Sequence, residues 1–275
     1  MSVSSQSAIR GTVKWLHRYF FGSRPGYWAA AAFCRLMKHS VFSARTRALV
    51  DFDLMRMKAR VGMPKRPVQP FQTKLHLGCG KRIVSGWLNV DVVNSDCQVD
   101  LAAGRLPWPD AVFESIICQH VVEHLELFSE GLPLLRELRR VSKPNAEIWL
   151  SCPDMEKVCK AYLLDKGATL RAEFEREFPQ LAEWKALPSQ MINSLFHQEG
   201  EHKNLFDFEL LAWACHKAGF IDCSRVTEAD LLKRFPEFPA RNDGNHTLYI
   251  RAVCPEEECV ESSKNRMGLC AVTYV

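Results

Sequence analysis

The sequence has no uninterrupted apolar run of about 18 residues, so a membrane-spanning helix is not expected. It has no C-x-x-C pair and no two cysteine pairs at zinc-site spacing, although it holds an odd total of eleven cysteines. A disulfide scaffold and a zinc ribbon are therefore excluded. Cys118, Cys152 and Cys215 fall inside apolar runs, where a free thiol behaves as a small hydrophobe. Unpaired thiols in a reducing compartment are the expectation, and with them a cytoplasmic location. No apolar core followed by small residues marks a secretory signal. A cleaved mitochondrial presequence is a second reading of the serine-bearing, acid-poor start. The sequence also lacks an internal repeat, which excludes solenoids and propellers.

Acid is scarce in one region in particular. Residues 1–74 carry 14 of the 36 basic residues but only two of the 32 acids, Asp51 and Asp53. That stretch is at +12 and the remainder at −8, so the net +4 describes neither. Two patterns of organisation follow the charge. Up to about residue 66, basic residues alternate with aromatics and small apolars, and three helices are expected, the last over 44–60. Pro64, Pro67 and Pro70 then stiffen a joint. From Lys74 short buried strands alternate with helical stretches: strands at 75–77, 87–92, 112–118, 146–151, 221–226 and 247–253, and helices at about 121–127, 131–141 and 207–217. This is the pattern of a doubly wound α/β sheet. Residues 155–205 are charged and helical without a strand pattern, and read as an inserted cap over the substrate. The expected division is a basic helical extension over 1–70, a ligand-binding domain over 71–254 and a tail over 255–275.

In an open α/β sheet, ligands bind beyond the carboxyl ends of the strands. Gly78-Cys79-Gly80 stands at that place on the first strand of the domain, where glycines let the backbone approach a ligand closely. A dinucleotide site needs G-x-G-x-x-G and an acid about 20 residues on. Here position 83 is Ile, and Asp91 follows Gly80 by eleven residues at the end of the second strand. A carboxylate there can accept both ribose hydroxyls, but nothing cradles a pyrophosphate. Asp100 is placed to accept from an adenine amine and Leu101 to pack on the ring. The pocket suits a nucleoside without a diphosphate.

The segments K-L-H-L-G-C-G, G-W-L-N-V-D-V, V-D-L-x(4)-L-P-W-P-D, V-F-E-S-I, H-V-V-E-H-L and L-R-E-L-x-R-V-S-K-P-N-A carry a resemblance. In order and spacing, over about residues 74–155, they resemble class I S-adenosylmethionine-dependent methyltransferases of the methyltransferase 11 type. The subgroup they resemble is often found among polysaccharide-biosynthesis proteins. The segments H-K-N-L-F-D-F-E-L-L, A-G-F and L-Y-I-R-A-V fit the family's last helix and final strand. The resemblance implies a Rossmann-like, seven-stranded, doubly wound sheet with its last strand antiparallel, carrying here a basic N-terminal helical extension. It implies S-adenosyl-L-methionine as cofactor, held by Leu77, Gly78, Cys79, Gly80, Asp91, Val92, Asp100, Leu101, Gln119 and His120. Lys81-Arg82 and Asn145-Ala146 depart from the family's small residues, and the first pair adds positive charge near the cofactor carboxylate.

His120, Glu123 and His124 share one face if residues 121–127 are helical. Three readings compete there. In the first, Glu123 and His124 satisfy each other and backbone donors, and no metal is assigned. In the second, His120 is a general base for a substrate hydroxyl, with Glu123 orienting it. The third is a divalent metal site, resembling the Glu-x-x-Glu-His motif of some small-molecule and RNA-terminal methyltransferases, with a fourth ligand from His202 or His197. Asp154 and His202 are the candidate substrate contacts, although Asp154 also stands where it would cap the helix beginning at Met155. The expected activity is O-methylation of a sugar, a lipid-linked glycan or a small molecule. The alternatives are metal-assisted methyl transfer and a non-catalytic scaffold that keeps the nucleoside pocket. For the basic arm, a packed subdomain competes with peripheral membrane contact through residues 1–60. Nucleic acid is disfavoured, since no zinc module or RNA-binding sheet motif is present.

Overall fold

The computed structural model describes residues 43–177 and 187–256, together with positions 28 and 32. The first two expected helices and the tail beyond 256 lie outside the described residues. The third forms as α1 (Ala44–Gly62), begun by Ser43, whose side chain accepts from the Thr46 amide, and ended by Met63 in extended conformation. The prolines that follow cannot continue a helix. Val68 ties this joint to the domain by donating to the Pro107 carbonyl at 2.8 Å.

Seven strands form one sheet: β1 (Lys74–Leu77), β2 (Leu88–Asp91), β3 (Cys97–Gln98), β4 (Phe113–Gln119), β5 (Ser142–Pro153), β6 (Ile221–Val226) and β7 (Thr247–Val253). Their order is β3-β2-β1-β4-β5-β7-β6, and β7 runs antiparallel to both its neighbours. This is the Rossmann-like doubly wound sheet that the alternating pattern predicts. β3 was not legible, because a two-residue edge strand leaves no hydrophobic period. Strand order reverses around β1, which pairs in parallel with β2 on one side and β4 on the other. The carboxyl ends of these three strands therefore meet at the switch point.

The helices are α2 (Leu132–Val141), α3 (Met155–Asp165), α4 (Ala168–Glu177), α5 (Pro188–His197), α6 (Phe208–Ala218) and α7 (Glu228–Arg234). α2 buries Leu134, Leu135, Leu138 and Val141, the apolar stripe of a surface helix, in the main core. Asp207 caps α6 by accepting from the Leu210 amide, and Gly219 ends it in the left-handed region. α3, α4 and α5 hold a small core of their own around Val158, Leu170 and Ile192. A single bridge between Asp154 and Phe206 closes this excursion. Positions 178–186 of the expected cap lie outside the described residues.

The helix expected over 121–127 does not form. His120 takes φ +55° at the end of β4, so the chain turns sharply into a short 3-10 turn, Val122–His124. Among the described residues, no helix is long and apolar enough to cross a membrane.

Candidate active site at the carboxyl edge of the sheet

The glycine turn leaves β1 with Gly78 at φ +63° and Gly80 at φ +54°. The two glycines are needed for different reasons. A Cβ on Gly78 would lie 2.1 Å from Cγ2 of Val121, so packing between the β1 and β4 ends requires the glycine. A Cβ on Gly80 would meet nothing within 4 Å, which leaves that backbone open to a ligand. Asp91, at the end of β2, fastens the turn: Gly80 N donates to its Oδ2 at 2.8 Å and Val92 N to its Oδ1 at 2.6 Å. Each carboxylate oxygen keeps acceptor capacity for a hydroxyl. An S-adenosylmethionine ribose and methionyl chain fit this part of the edge. Leu77 is fully buried and Cys79 nearly so, which leaves only their backbone for the ligand contact expected of them. Burial pushes the Cys79 thiol up to about 11, and it stays a neutral packing group.

Asp100 departs from the expected role. Its Oδ1 accepts from the Ala102 amide and from Arg56 Nε at 3.0 Å, and its Oδ2 pairs with Arg60 Nε. It is 1% exposed, and its carboxylate anchors α1 to the domain rather than facing an open ring site. Burial opposes the Arg56 charge, but Asp100 and Glu130 outweigh it and hold the guanidinium above its ordinary value. Leu101 packs in the main core. A cleft of about 580 Å³ runs between α1 and β3, lined among others by Lys58, Met63, Asp96 and Cys97. None of its lining residues belongs to the glycine turn, Asp91 or the histidines below.

The end of β4 carries the densest polar cluster. Gln119 is buried, and His120 N donates to the Ser151 carbonyl at 2.8 Å. His120 Nδ1 stands 3.1 Å from Glu123 Oε1, and its Nε2 stands 3.0 Å from Asp243 Oδ2. Both ring nitrogens are thus engaged by carboxyl groups, which favour a charged ring. Burial disfavours that charge, but the hydrogen bonds to Asp243 and Glu123 outweigh it, and the His120 pKa is raised. A ring engaged at both nitrogens has neither free for a substrate proton, which argues against His120 as the base. Asp243 lies well below the usual carboxylate range: burial resists this, but bonds from His120 and from Tyr249 Oη at 2.6 Å prevail.

His124 does not meet His120 on one face. It turns toward His202 instead, with ring centroids 4.9 Å apart. His124 Nδ1 stands 3.3 Å from the Glu201 carbonyl and His202 Nδ1 2.7 Å from the Leu195 carbonyl. A carbonyl engages each Nδ1 as a donor, so Nε2 is the other nitrogen of each ring. The expected Glu123–His124 pairing is absent as well. Glu123 bonds through Oε1 to His120, and its Oε2 is buried without a hydrogen-bond partner. His197, exposed at the end of α5, lies outside the cluster.

Asp154 is fully buried and is the N-cap of α3, accepting from the amides of Glu156 and Lys157. Its Oδ2 pairs with Arg225 at 3.1 Å. These bonds occupy the carboxylate, so the helix-capping role prevails over a substrate contact. Asp243, Tyr249 and Arg241, whose Nε stands 3.3 Å from Asp243 Oδ2, were not foreseen. The segment R-N-D-G-N-H reads as turn chemistry, and nothing local shows that it folds back onto a residue 123 positions earlier.

Residues 93–150 match the family model described as Methyltransferase domain. The match holds Asp100 and the Gln119–His124 turn, but neither the glycine turn nor Asp91. No curated protein matches the chain. Among solved structures, a SAM-dependent methyltransferase from Archaeoglobus fulgidus is 15% identical, with 67% of this chain and 87% of that one covered and a TM-score of 0.38. A second, from Aquifex aeolicus, is 17% identical over 66% and 82%, with a TM-score of 0.37. Haemonchus contortus phosphoethanolamine N-methyltransferase 2, solved with S-adenosyl-L-methionine, is 14% identical over 75% and 53%, also at 0.37. Similarity this low says nothing about substrate.

Proposed function

We propose, for a chain that carries the domain and the Rossmann-like fold of S-adenosylmethionine-dependent methyltransferases, transfer of the methyl group to a hydroxyl of a sugar, a lipid-linked glycan or a small molecule. Bound S-adenosyl-L-methionine supplies a methyl group already activated on a sulfonium. The protein's own work is then placement and proton management. The observation that carries the reading is the open backbone of Gly80 held against the Asp91 carboxylate, with imidazoles beside the end of β4. Gly78–Gly80, Asp91 and Val92 bind the cofactor, and Gln119 and His120 line its reacting end. His124 and His202, each held at Nδ1 by a backbone carbonyl, and Glu123, held at Oε1 by His120, form the polar lining beside it. An acceptor that is already a free amine or thiolate would not call for this polar lining.

Calorimetric titration with S-adenosyl-L-methionine tests the cofactor half. Asp91→Ala removes two acceptor oxygens and is expected to weaken binding by about 10- to 100-fold, as for loss of one or two charge-assisted hydrogen bonds. Unchanged affinity in that variant overturns the cofactor assignment. A methyl-label transfer screen against glycan, lipid, RNA and protein fractions tests the acceptor, and label in the protein or RNA fraction alone overturns the hydroxyl-glycan reading. A cytoplasmic setting belongs to this proposal. Membrane contact through residues 1–60 rests mainly on positions outside the described ones.

A further inference from the structure

Oxygen methylation needs something to take the acceptor's proton, and His120 is committed elsewhere. We propose that Glu123, His124 and His202 bind a divalent cation of borderline type, zinc foremost, that coordinates and acidifies the acceptor hydroxyl. The inference rests on the O-methylation reading for its purpose but not for its geometry.

Four observations carry it. One ligand atom from each of the three residues lies within 4.8 Å of the others. Zinc bonds of about 2.0–2.2 Å place ligands within about 4 Å of one another, so small side-chain rotations close the set. Each ligand also has its other polar atom fastened. His124 Nδ1 is held by the Glu201 carbonyl, His202 Nδ1 by the Leu195 carbonyl and Glu123 Oε1 by His120. Metal-binding histidines and carboxylates are oriented in this way, because a bond at the far atom fixes the tautomer and aims the lone pair. The third observation is Glu123 Oε2, in a residue 1% exposed, which has no hydrogen-bond partner. A buried carboxylate oxygen left bare costs free energy unless something positive meets it. The His120 ring is already engaged at Oε1. The fourth is the donor set, two nitrogens and one oxygen, which suits zinc better than magnesium.

Three protein ligands leave a coordination position open. An acceptor R–OH bound there loses its proton to solvent more readily. Its oxygen then bonds to the methyl carbon as the carbon–sulfur bond breaks and the electron pair moves to sulfur. The products are the methyl ether, neutral S-adenosylhomocysteine and one proton. Toward the metal, His120 is a positioning residue that holds Glu123, and Asp243 holds His120 in turn.

The full chain, stripped with chelator and dialysed, is titrated with Zn²⁺ and read by elemental analysis and calorimetry. About one equivalent is expected for the wild type. His124→Ala and His202→Ala are expected to lose more than the roughly 10- to 100-fold in affinity that an outer-sphere partner costs. His120→Gln is expected to fall within that range. Co²⁺ in place of Zn²⁺ is expected to give the visible absorption of a low-coordinate nitrogen–oxygen site in the wild type, which needs no variant to fold. S-adenosyl-L-methionine binding, followed in the same samples, reports the fold and the cofactor reading separately. A wild type that binds S-adenosyl-L-methionine but takes up well under half an equivalent of zinc overturns the metal site and leaves the methyltransferase reading standing. Zinc affinity unchanged in His124→Ala and His202→Ala overturns it too. Zinc uptake without any S-adenosyl-L-methionine binding overturns the purpose assigned to the metal and the proposed function together.

Discussion

Two buried carboxylates stand near the carboxyl edge of this sheet, and they have opposite surroundings. Asp100 is engaged at both oxygens, by an amide and two arginines of α1. Glu123 is equally buried, but one of its oxygens is bare. A buried charge engaged at both oxygens holds a structure together, here an N-terminal helix to its domain. A half-satisfied one is tolerated where the missing partner arrives from outside, because stability alone would have removed it. Burial is the same in both, so burial does not separate anchor from site. An oxygen left with no partner at all does.

The largest test of that contrast is Asp100→Asn. It leaves Arg56 half-buried without its carboxylate, and a loss of about 2–3 kcal/mol in urea unfolding is expected, short of a fully buried pair because Arg60 is partly solvated. A loss under about 0.5 kcal/mol would make Asp100 as dispensable to the fold as Glu123 and end the comparison. S-adenosyl-L-methionine affinity in the same variant sharpens it. Little change keeps Asp100 an anchor, whereas a large loss restores it to the adenine end.

A pH series separates the carboxylate contrast from the buried neutral histidine on β1. Burial pushes His76 down to about 4, with its Nδ1 3.1 Å from Asn89 Oδ1 and its ring edge-on to Phe238. Unfolding restores a pKa near 6.5, so between those values the unfolded chain binds more protons. The His76 contribution is complete above about 6.5 and is lost as pH falls toward 4, amounting to roughly 2 kcal/mol by pH 5. His76→Leu is expected to flatten that slope when unfolding is measured at pH 7 and pH 5. An equal slope in the variant assigns the acid sensitivity to the other clusters.

The smallest effect on stability is expected from Glu123→Gln. The amide keeps a partner for one neighbour and removes the bare charge, so stability should stay within about 1 kcal/mol of the wild type. Methyl transfer should fall sharply in the same protein. Destabilisation matching Asp100→Asn would turn Glu123 into a second anchor.

Much of this molecule is legible in its sequence. The strand–helix alternation, the capping Asp207 with Gly219, and the glycine turn followed by Asp91 are all local patterns, and local patterns are set by backbone sterics and hydrophobic period. The short edge strand β3 was not legible, since two residues carry no period. The helix over 121–127 does not form, since the turn there holds Val121 against Gly78 and His120 at a positive φ, which residue type does not announce. The roles at the site divide in the same way. The sequence by itself named His120, Glu123, His124 and His202 as candidates through their spacing and chemistry. Tertiary structure alone decided which of them pair, because Asp243 comes from 123 residues away and Arg56 and Arg60 reach Asp100 across the proline joint. A carboxylate's role depends on who fills its lone pairs, and that is settled only once distant segments have packed.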